Sequence, residues 1–329
     1  MIPRRSTLLF VAILSVLAIL IVISSFLLIN VGVKAAAVAR PKTGYYYKWH
    51  VMMIGKRIDS PFWQEVYAGA KLSGEAKGAI VELIGPSSDA DVKSLDEYID
   101  FAIATRVNGI LAYVSDNHET SAALGRARAS GIPVITLEND ALGSTRQAFV
   151  GVSSYELGKM LGSLVLKSAG RTGDAMIVLE NGAEKSSETI MLSGIHEATV
   201  SRPGLRIQTI ASDGSAGPGG DDALRQRILN DRRLSVIVCL NVEDTMRIVQ
   251  TVIELNRSSS IQIIAFRESP EILDYVKKGI VTAVVAINAR QMGERSVSAM
   301  LEYLETGHSN DYVITDMHVI TGESLKESD

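Results

Sequence analysis

Short apolar runs alternate with segments of helical period along most of this 329-residue chain, and that alternation restricts the fold more than any other feature. The runs lie at 49–55 (WHVMMIG), 80–85 (IVELIG), 108–115 (NGILAYVS), 132–138 (IPVITLE) and 147–152. They continue at 174–180 (DAMIVLE), 205–211 (LRIQTIA), 235–241 (SVIVCLN), 261–266 (IQIIAF) and 280–287 (IVTAVVAI). Most are β-branched and apolar on both faces, as strands buried in a parallel sheet must be. Between them, Leu157, Met160, Leu161, Leu164 and Val165 form one helical stripe, and Gly293, Val297, Met300, Leu301 and Leu304 another. The pattern predicts βαβ units with right-handed crossovers. It holds about ten strands and restarts near residue 153, so two half-size open sheets explain it better than one large sheet. Open α/β sheets place ligands beyond the carboxyl ends of their strands. Two facing sheets therefore predict a cleft between lobes, worked by hinge closure.

The first 40 residues follow a different rule. Leu8 to Ile29 holds 22 residues without a charge (LLFVAILSVLAILIVISSFLLI), enough for a helix to span a bilayer core. Arg4 and Arg5 precede it, as in a secretory signal, but the run exceeds the usual signal core of about 7–15 residues. The length favours an uncleaved anchor, while Ala37-Val38-Ala39 offers a cleavage motif. The positive-inside count does not set the orientation, because Lys34, Arg40, Lys42 and Lys48 follow the span. We read 1–33 as a signal-anchor helix and 34–47, with PKTGYYY, as a linker. The first lobe is then 48–152 plus 288–317, and the second is 153–287 plus 318–329.

Charge and motif exclude several classes of function. From residue 40 onward the chain has 30 basic residues against 37 acidic, which argues against a nucleic-acid surface. Cys239 is alone, so no intrachain disulfide forms, and its place in VIVCL reads as a buried small hydrophobe. There is no G-x-x-x-x-G-K-[ST] and no G-x-S-x-G. GPGGDD at 217–222 reads as a loop entering a helix capped by Asp221 or Asp222. The five histidines are scattered, and His118-Glu119 and His196-Glu197 lack the second histidine of a zinc helix. Asp89, Asp91, Asp96 and Asp100 read as a solvated loop and helix face. No catalysis, cofactor or metal is expected.

After the first strand the chain reads IGKRIDSPFWQEVYAGAKLSGEAKGAIVELIG. Then come GILAYVSD, ASGIPVITLEND, FVGVSSYELGKMLG, SVIVCLN, IIAFRESPEIL, VKKGIVTAVVAINARQMGE and TDMHVIT. In content, order and spacing this set, over about residues 50–322, resembles the type I periplasmic sugar-binding proteins, the ribose-binding group in particular. The resemblance implies two Rossmann-like lobes joined by three crossings, near Val152–Ser153, Ile287–Asn288 and Met317–His318. Repressors of the lac type share that body but carry a helix-turn-helix where this chain has its apolar span.

The resemblance also places candidate ligand contacts. Ser60, Phe62 and Trp63 stand where the family puts a polar residue and two aromatics on the sugar, whose C–H faces pack on rings. Trp63 also fits a core stripe with Val66, Tyr67 and Ala70. Glu138-Asn139 replaces the family's Asp-Arg and keeps the acid that accepts from adjacent hydroxyls; a merely solvated loop is the alternative there. Asn241 matches the family asparagine after the eighth strand, with Val242 in place of its usual aspartate and Glu243 next. Thr189 and Met191 stand where arginine is expected, Ile287 replaces a glutamine, and Ala265-Phe266-Arg267 replaces Gly-Phe-Asp.

These departures imply a ligand other than ribose. One reading is a sugar acid or sugar phosphate met by Arg267; another is an Arg267 salt bridge to Glu138 or Glu268; a third is a degenerate site that binds a partner protein. The expected role is an extracytoplasmic, membrane-anchored binder of a small polar solute, a sugar or sugar derivative, serving an ABC permease. The alternative is a sensory accessory to a membrane histidine kinase. The anchor and the absence of a lipobox cysteine favour that second role.

Overall fold

A computed structural model describes residues 47–88, 93–114, 118–141, 143–170, 173–180, 186–212 and 222–328. The apolar run Leu8–Ile29, the motif at Ala37–Ala39, Asp89, Asp91 and the glycines of GPGGDD lie outside these residues. Among the described residues no helix is long and apolar enough to cross a membrane.

All ten apolar runs contain strands: β1 Trp49–Ile54, β2 Ala79–Ile84, β3 Gly109–Tyr113, β4 Val134–Leu137, β5 Ala148–Gly151, β6 Asp174–Glu180, β7 Ile207–Ser212, β8 Leu234–Cys239, β9 Gln262–Phe266 and β10 Val281–Ile287. Two more follow, β11 Tyr312–Ile314 and β12 Met317–Thr321. The helices are α1 Pro61–Ala76, α2 Leu95–Ala104, α3 His118–Ala129, α4 Ser154–Ser168, α5 Ser186–Thr199, α6 Asp222–Asn230, α7 Val242–Glu254, α8 Pro270–Lys277, α9 Ala289–Thr306 and α10 Gly322–Ser328.

The strands form two six-stranded sheets, β11-β5-β4-β3-β1-β2 and β12-β10-β9-β8-β6-β7. The result is a two-lobed α/β protein with largely parallel sheets. Among the described residues, pairing is parallel throughout the first sheet, and only β12 against β10 is antiparallel in the second. Both sheets are covered on two faces, as the period-2 burial requires. In β1, Val51 and Met53 share a core with Trp63, Val66 and Met292, while Met52 and Ile54 pack with Ile99 and Leu124. In β8, Val236 and Val238 face Leu161 and Ile195, while Ile237 and Cys239 face Ile228 and Ile248.

The chain passes between the sheets three times. It crosses between Gly151 and Ser154, between Ile287 and Ala289, and at Thr315–Asp316, since Met317 already pairs with Ile287 in the second sheet. Backbone bonds tie these passages together: the Thr315 N–H donates to the Gly151 carbonyl (2.7 Å) and the Asn288 N–H to that of Asp316 (2.9 Å). Asp316 is further held by Gln291, whose Nε2 donates to its carboxylate at 2.8 Å while its Oε1 accepts from the Asp316 N–H at 2.8 Å.

Each lobe has one helix pair in close backbone contact, and both pairs are made the same way. A Cβ at Gly293, fifth residue of α9, would sit 1.8 Å from the Val66 carbonyl of α1. A Cβ at Gly158, fifth residue of α4, would sit 2.0 Å from the Met191 carbonyl of α5. In return, Gly69 of α1 faces the Arg290 carbonyl and Gly194 of α5 faces that of Tyr155, at 2.0 and 2.3 Å. Only glycine permits such an approach. The two lobes are thus repeats, with α1 matching α5, α9 matching α4, and β4 matching β9.

Candidate functional site

The carboxyl ends of β1, β3 and β4 in the first sheet and of β8 and β9 in the second carry the candidate residues. Ser60 caps α1. Its Oγ accepts from the Trp63 N–H (3.3 Å) and donates to the Arg57 carbonyl (2.9 Å), and Pro61 presets the first helical turn. That cap starts the helix one residue before Phe62, which is half-buried, and Trp63, which is 3% exposed. Trp63 belongs to the core of the first lobe. A Cβ at Gly55 would lie 3.1 Å from its ring, so the glycine lets β1 pass beneath the indole. Phe62 and Tyr113 stand edge-on to Trp63, with ring centres at 5.8 and 6.2 Å. Trp63 therefore supports Phe62, and Phe62 is the more exposed of the two rings.

Glu138 follows β4 and Arg267 follows β9, the matching strand of the other lobe. Each has a left-handed backbone, φ +67° and +76°. Each donates its N–H to the next strand, Glu138 to the Val150 carbonyl and Arg267 to that of Val285, both at 2.9 Å. A non-glycine residue in this region carries strain of about 1–3 kcal/mol, and such residues concentrate at ligand clamps and switch regions. Here the strain aims two side chains across the cleft, where Arg267 Nη2 meets Glu138 Oε1 at 2.6 Å. The Glu138 side chain is 5% exposed and that of Arg267 28%. Phe62 of the first lobe and Phe266 of the second flank the guanidinium, at 5.5 and 5.3 Å from its carbon. Burial opposes the Arg267 charge, but Glu138 more than offsets it, so the guanidinium is held charged even more firmly than usual. Of the pairings weighed for Arg267 from sequence, the one with Glu138 is formed.

The second carboxylate oxygen, Glu138 Oε2, is buried and has no hydrogen-bond partner among the described residues. A buried unpartnered acceptor is costly and demands a donor. Asn139, next to it, donates from Nδ2 to the Val114 carbonyl at 2.9 Å. Asn241 is spent locally. It caps α7, with Oδ1 accepting from the Asp244 N–H and Nδ2 donating to the Asp244 carboxylate, both at 2.7 Å. Asp244, 3% exposed, also accepts from Ser212 Oγ (2.7 Å) and pairs with Arg247.

The structure thus brings Phe62, Glu138 and Arg267 together, with Trp63 behind them, and uses Ser60 and Asn241 as helix caps. Tyr113 joins the aromatic wall, with the Lys56 ammonium 5.5 Å from its ring centre. The sequence reading left it inside the run 108–115 with no role; an aromatic at the carboxyl end of a parallel strand was the available signal. Among the described residues no cluster of histidine, cysteine, aspartate and glutamate is arranged to hold a metal. Burial pushes the Cys239 thiol far up, so it is inert.

Two repeated open α/β lobes with a polar and aromatic cleft at their strand ends define a hinged binding protein. The chain belongs to the periplasmic binding protein domain family, whose model matches residues 51–309. It is 21% identical over 265 residues to the D-allose-binding periplasmic protein of Escherichia coli, covering 77% of this chain and 83% of that protein. It is 19% identical over 283 residues to the ribose import binding protein RbsB of Bacillus subtilis, covering 86% and 90%. Among solved structures, GanP, a glucose-galactose binding protein from Geobacillus stearothermophilus, superposes with a TM-score of 0.73 at 24% identity, over 84% of this chain and 98% of that one. XylFII in complex with LytSN superposes with a TM-score of 0.69 at 26% identity, over 84% and 98%.

Proposed function

We propose that this chain is an extracytoplasmic sugar-binding protein that closes its lobes on one small polyhydroxylated solute and performs no chemistry. The observation that carries the reading is the buried, unpartnered Glu138 Oε2 beside Phe62, at the strand ends of a two-lobed clamp. A carboxylate oxygen accepts a sugar hydroxyl, and an aromatic ring covers the C–H face of the same sugar. Relatives named for allose and ribose binding support the sugar class. The charge-free run Leu8–Ile29 supports a membrane tether that keeps the clamp at the surface. In this reading the lobes follow the domain limits inferred from sequence except at the third passage, where Met317, placed in the first lobe by the sequence, pairs with Ile287 in the second.

Two roles are compatible with such a clamp: delivery to an ABC permease, and reporting to a membrane histidine kinase. The second is favoured by one specific observation, the likeness to XylFII, a protein found in complex with a protein partner, LytSN. The test is thermal melting of the full chain in detergent against D-allose, D-ribose, D-xylose, L-arabinose, D-glucose and D-galactose. A sugar at 100 times its dissociation constant stabilises by about 2.7 kcal/mol. Silence with every sugar would overturn the reading.

A further inference from the structure

The Glu138–Arg267 pair joins matching positions of the two repeats, and those positions carry opposite charges. Any ligand in the cleft must share this pair or break it. Breaking it leaves Glu138, 5% exposed, as a buried charge without a counter-ion, which is strongly unfavourable. Sharing it restricts what the ligand offers. Glu138 Oε1 is taken by Arg267, and Oε2 is an acceptor that needs an O–H or N–H donor. A ligand carboxylate or phosphate brings further acceptors and more negative charge to the same oxygen. A neutral sugar brings a hydroxyl that donates to Oε2. The guanidinium lies over the Phe62 and Phe266 rings and is turned to Glu138 rather than to an anion elsewhere.

We propose that the Glu138–Arg267 pair is a latch across the cleft and that Arg267 is the specificity-determining residue of the site. By cancelling the Glu138 charge it makes the closed lobes accept an uncharged polyol and refuse an anionic one. This rests on the sugar-binding reading above for its ligand, though not for the latch. Of the readings weighed from sequence, it keeps the Arg267 salt bridge to Glu138 and sets aside the one in which Arg267 meets a ligand carboxylate or phosphate.

Two measurements on the full chain in detergent test it. The first uses no sugar. Spin labels are placed on exposed rim positions of the two lobes, through Asp59→Cys and Glu271→Cys, and the distance between them is read by pulsed electron resonance. Arg267→Glu sets two carboxylates face to face and lengthens the distance; the double reversal Glu138→Arg with Arg267→Glu restores it. An unchanged distance in the single variant, or a double variant that stays open, overturns the latch. The restoring variant also guards against simple misfolding.

The second measurement compares D-allose, D-ribose and D-glucose with D-glucuronate and D-glucose 6-phosphate. The native chain prefers the neutral sugars by about a hundredfold or more, the scale on which an unpaired buried charge acts. Glu138→Gln frees the guanidinium and moves the ratio towards the anions by a similar factor. A native chain that binds glucuronate or the phosphate as tightly as neutral sugars overturns the specificity claim. If no sugar of either kind binds any variant, the sugar reading and the specificity claim both fall, and the label distances alone decide the latch.

Discussion

In the first lobe α1 and α9 meet through Gly69 and Gly293; in the second, α5 and α4 meet through Gly194 and Gly158, at the same helical positions. The glycine contacts are copies because each lobe needs one rigid body, and close backbone packing supplies it. The lobes part company after β4 and β9. The first lobe runs from β4 to β5 through an irregular loop, clasped by the Asp140–Arg146 ion pair with side chains only 15% and 11% exposed. Arg146 also lies over the Tyr312 ring of β11, 4.9 Å from its centre. The second lobe places α8 there instead, capped by Ser269 and started by Pro270. At the cleft the difference becomes one of charge, Glu138 against Arg267. The repeat thus keeps its packing and varies its strand ends, where the ligand chemistry lies.

Mutations can break this comparison. The largest effect is expected from Gly293→Ala and Gly158→Ala, each of which drives a methyl into a facing carbonyl. Overpacking usually costs about 1–3 kcal/mol, and both variants should lose about 3 kcal/mol in denaturant melts. Equal losses would show that the two pairs are mechanically equivalent; a loss in one alone would show that only one lobe depends on its glycines. Next comes Asp174→Ala, which strikes the second lobe only. Asp174 is fully buried at the start of β6 and accepts from Arg206 (2.8 Å) and Arg233 (3.1 Å). Both arginines are more than half exposed, so we expect a loss of about 2 kcal/mol, the scale of hydrogen bonds to a charged group.

Asn241→Ala should cost about 1 kcal/mol, the usual worth of an N-cap, while leaving sugar affinity unchanged. A drop in affinity measured by calorimetry would return Asn241 to the ligand. The smallest effect concerns pH. Burial raises the Glu268 carboxyl above its usual range, partly countered by His318. Its folded value thus exceeds its unfolded one, so the protonated form favours the folded state. That contribution is complete below the unfolded value near 4.5 and fades as pH rises through the folded value. Glu268→Gln should therefore melt slightly higher than the native chain at pH 7, and the gap should close as the pH falls towards 4.

The strands of both sheets were legible because each is a short apolar run, and the helical stripes on α4 and α9 because their period is regular. β11 and β12 were not. Tyr312 and Ile314 are exposed around a half-buried Val313, and β12 is only partly buried, so neither reads as a buried run. The reciprocal glycines were also invisible, since a glycine's meaning depends on a backbone far away in sequence. Phe62, Trp63, Glu138 and Arg267, which the structure brings together, were named from sequence by family resemblance. Which carboxylate Arg267 would meet was not, because it depends on two strained strand ends brought together only by the pairing of two sheets. Asn241, a residue type suited to ligand hydroxyls, shows what sequence does not reveal: its side chain is engaged in capping its own helix.

The third passage at Thr315–Asp316 has a consequence for how the chain is made. β5 lies at the edge of the first sheet until β11 joins it, and β11 follows β6 to β10 in the chain. α9, whose Gly293 completes the first helix pair, also arrives late. A nascent chain therefore carries an unfinished first lobe, with an open strand edge and an uncovered helix face, while β6 to β10 of the second lobe are being added. Exposed edges and apolar faces of that kind are aggregation sites. The lobe begun first thus waits for its last strand until most of the second lobe has been made, and its safekeeping in the interval falls to whatever escorts the growing chain.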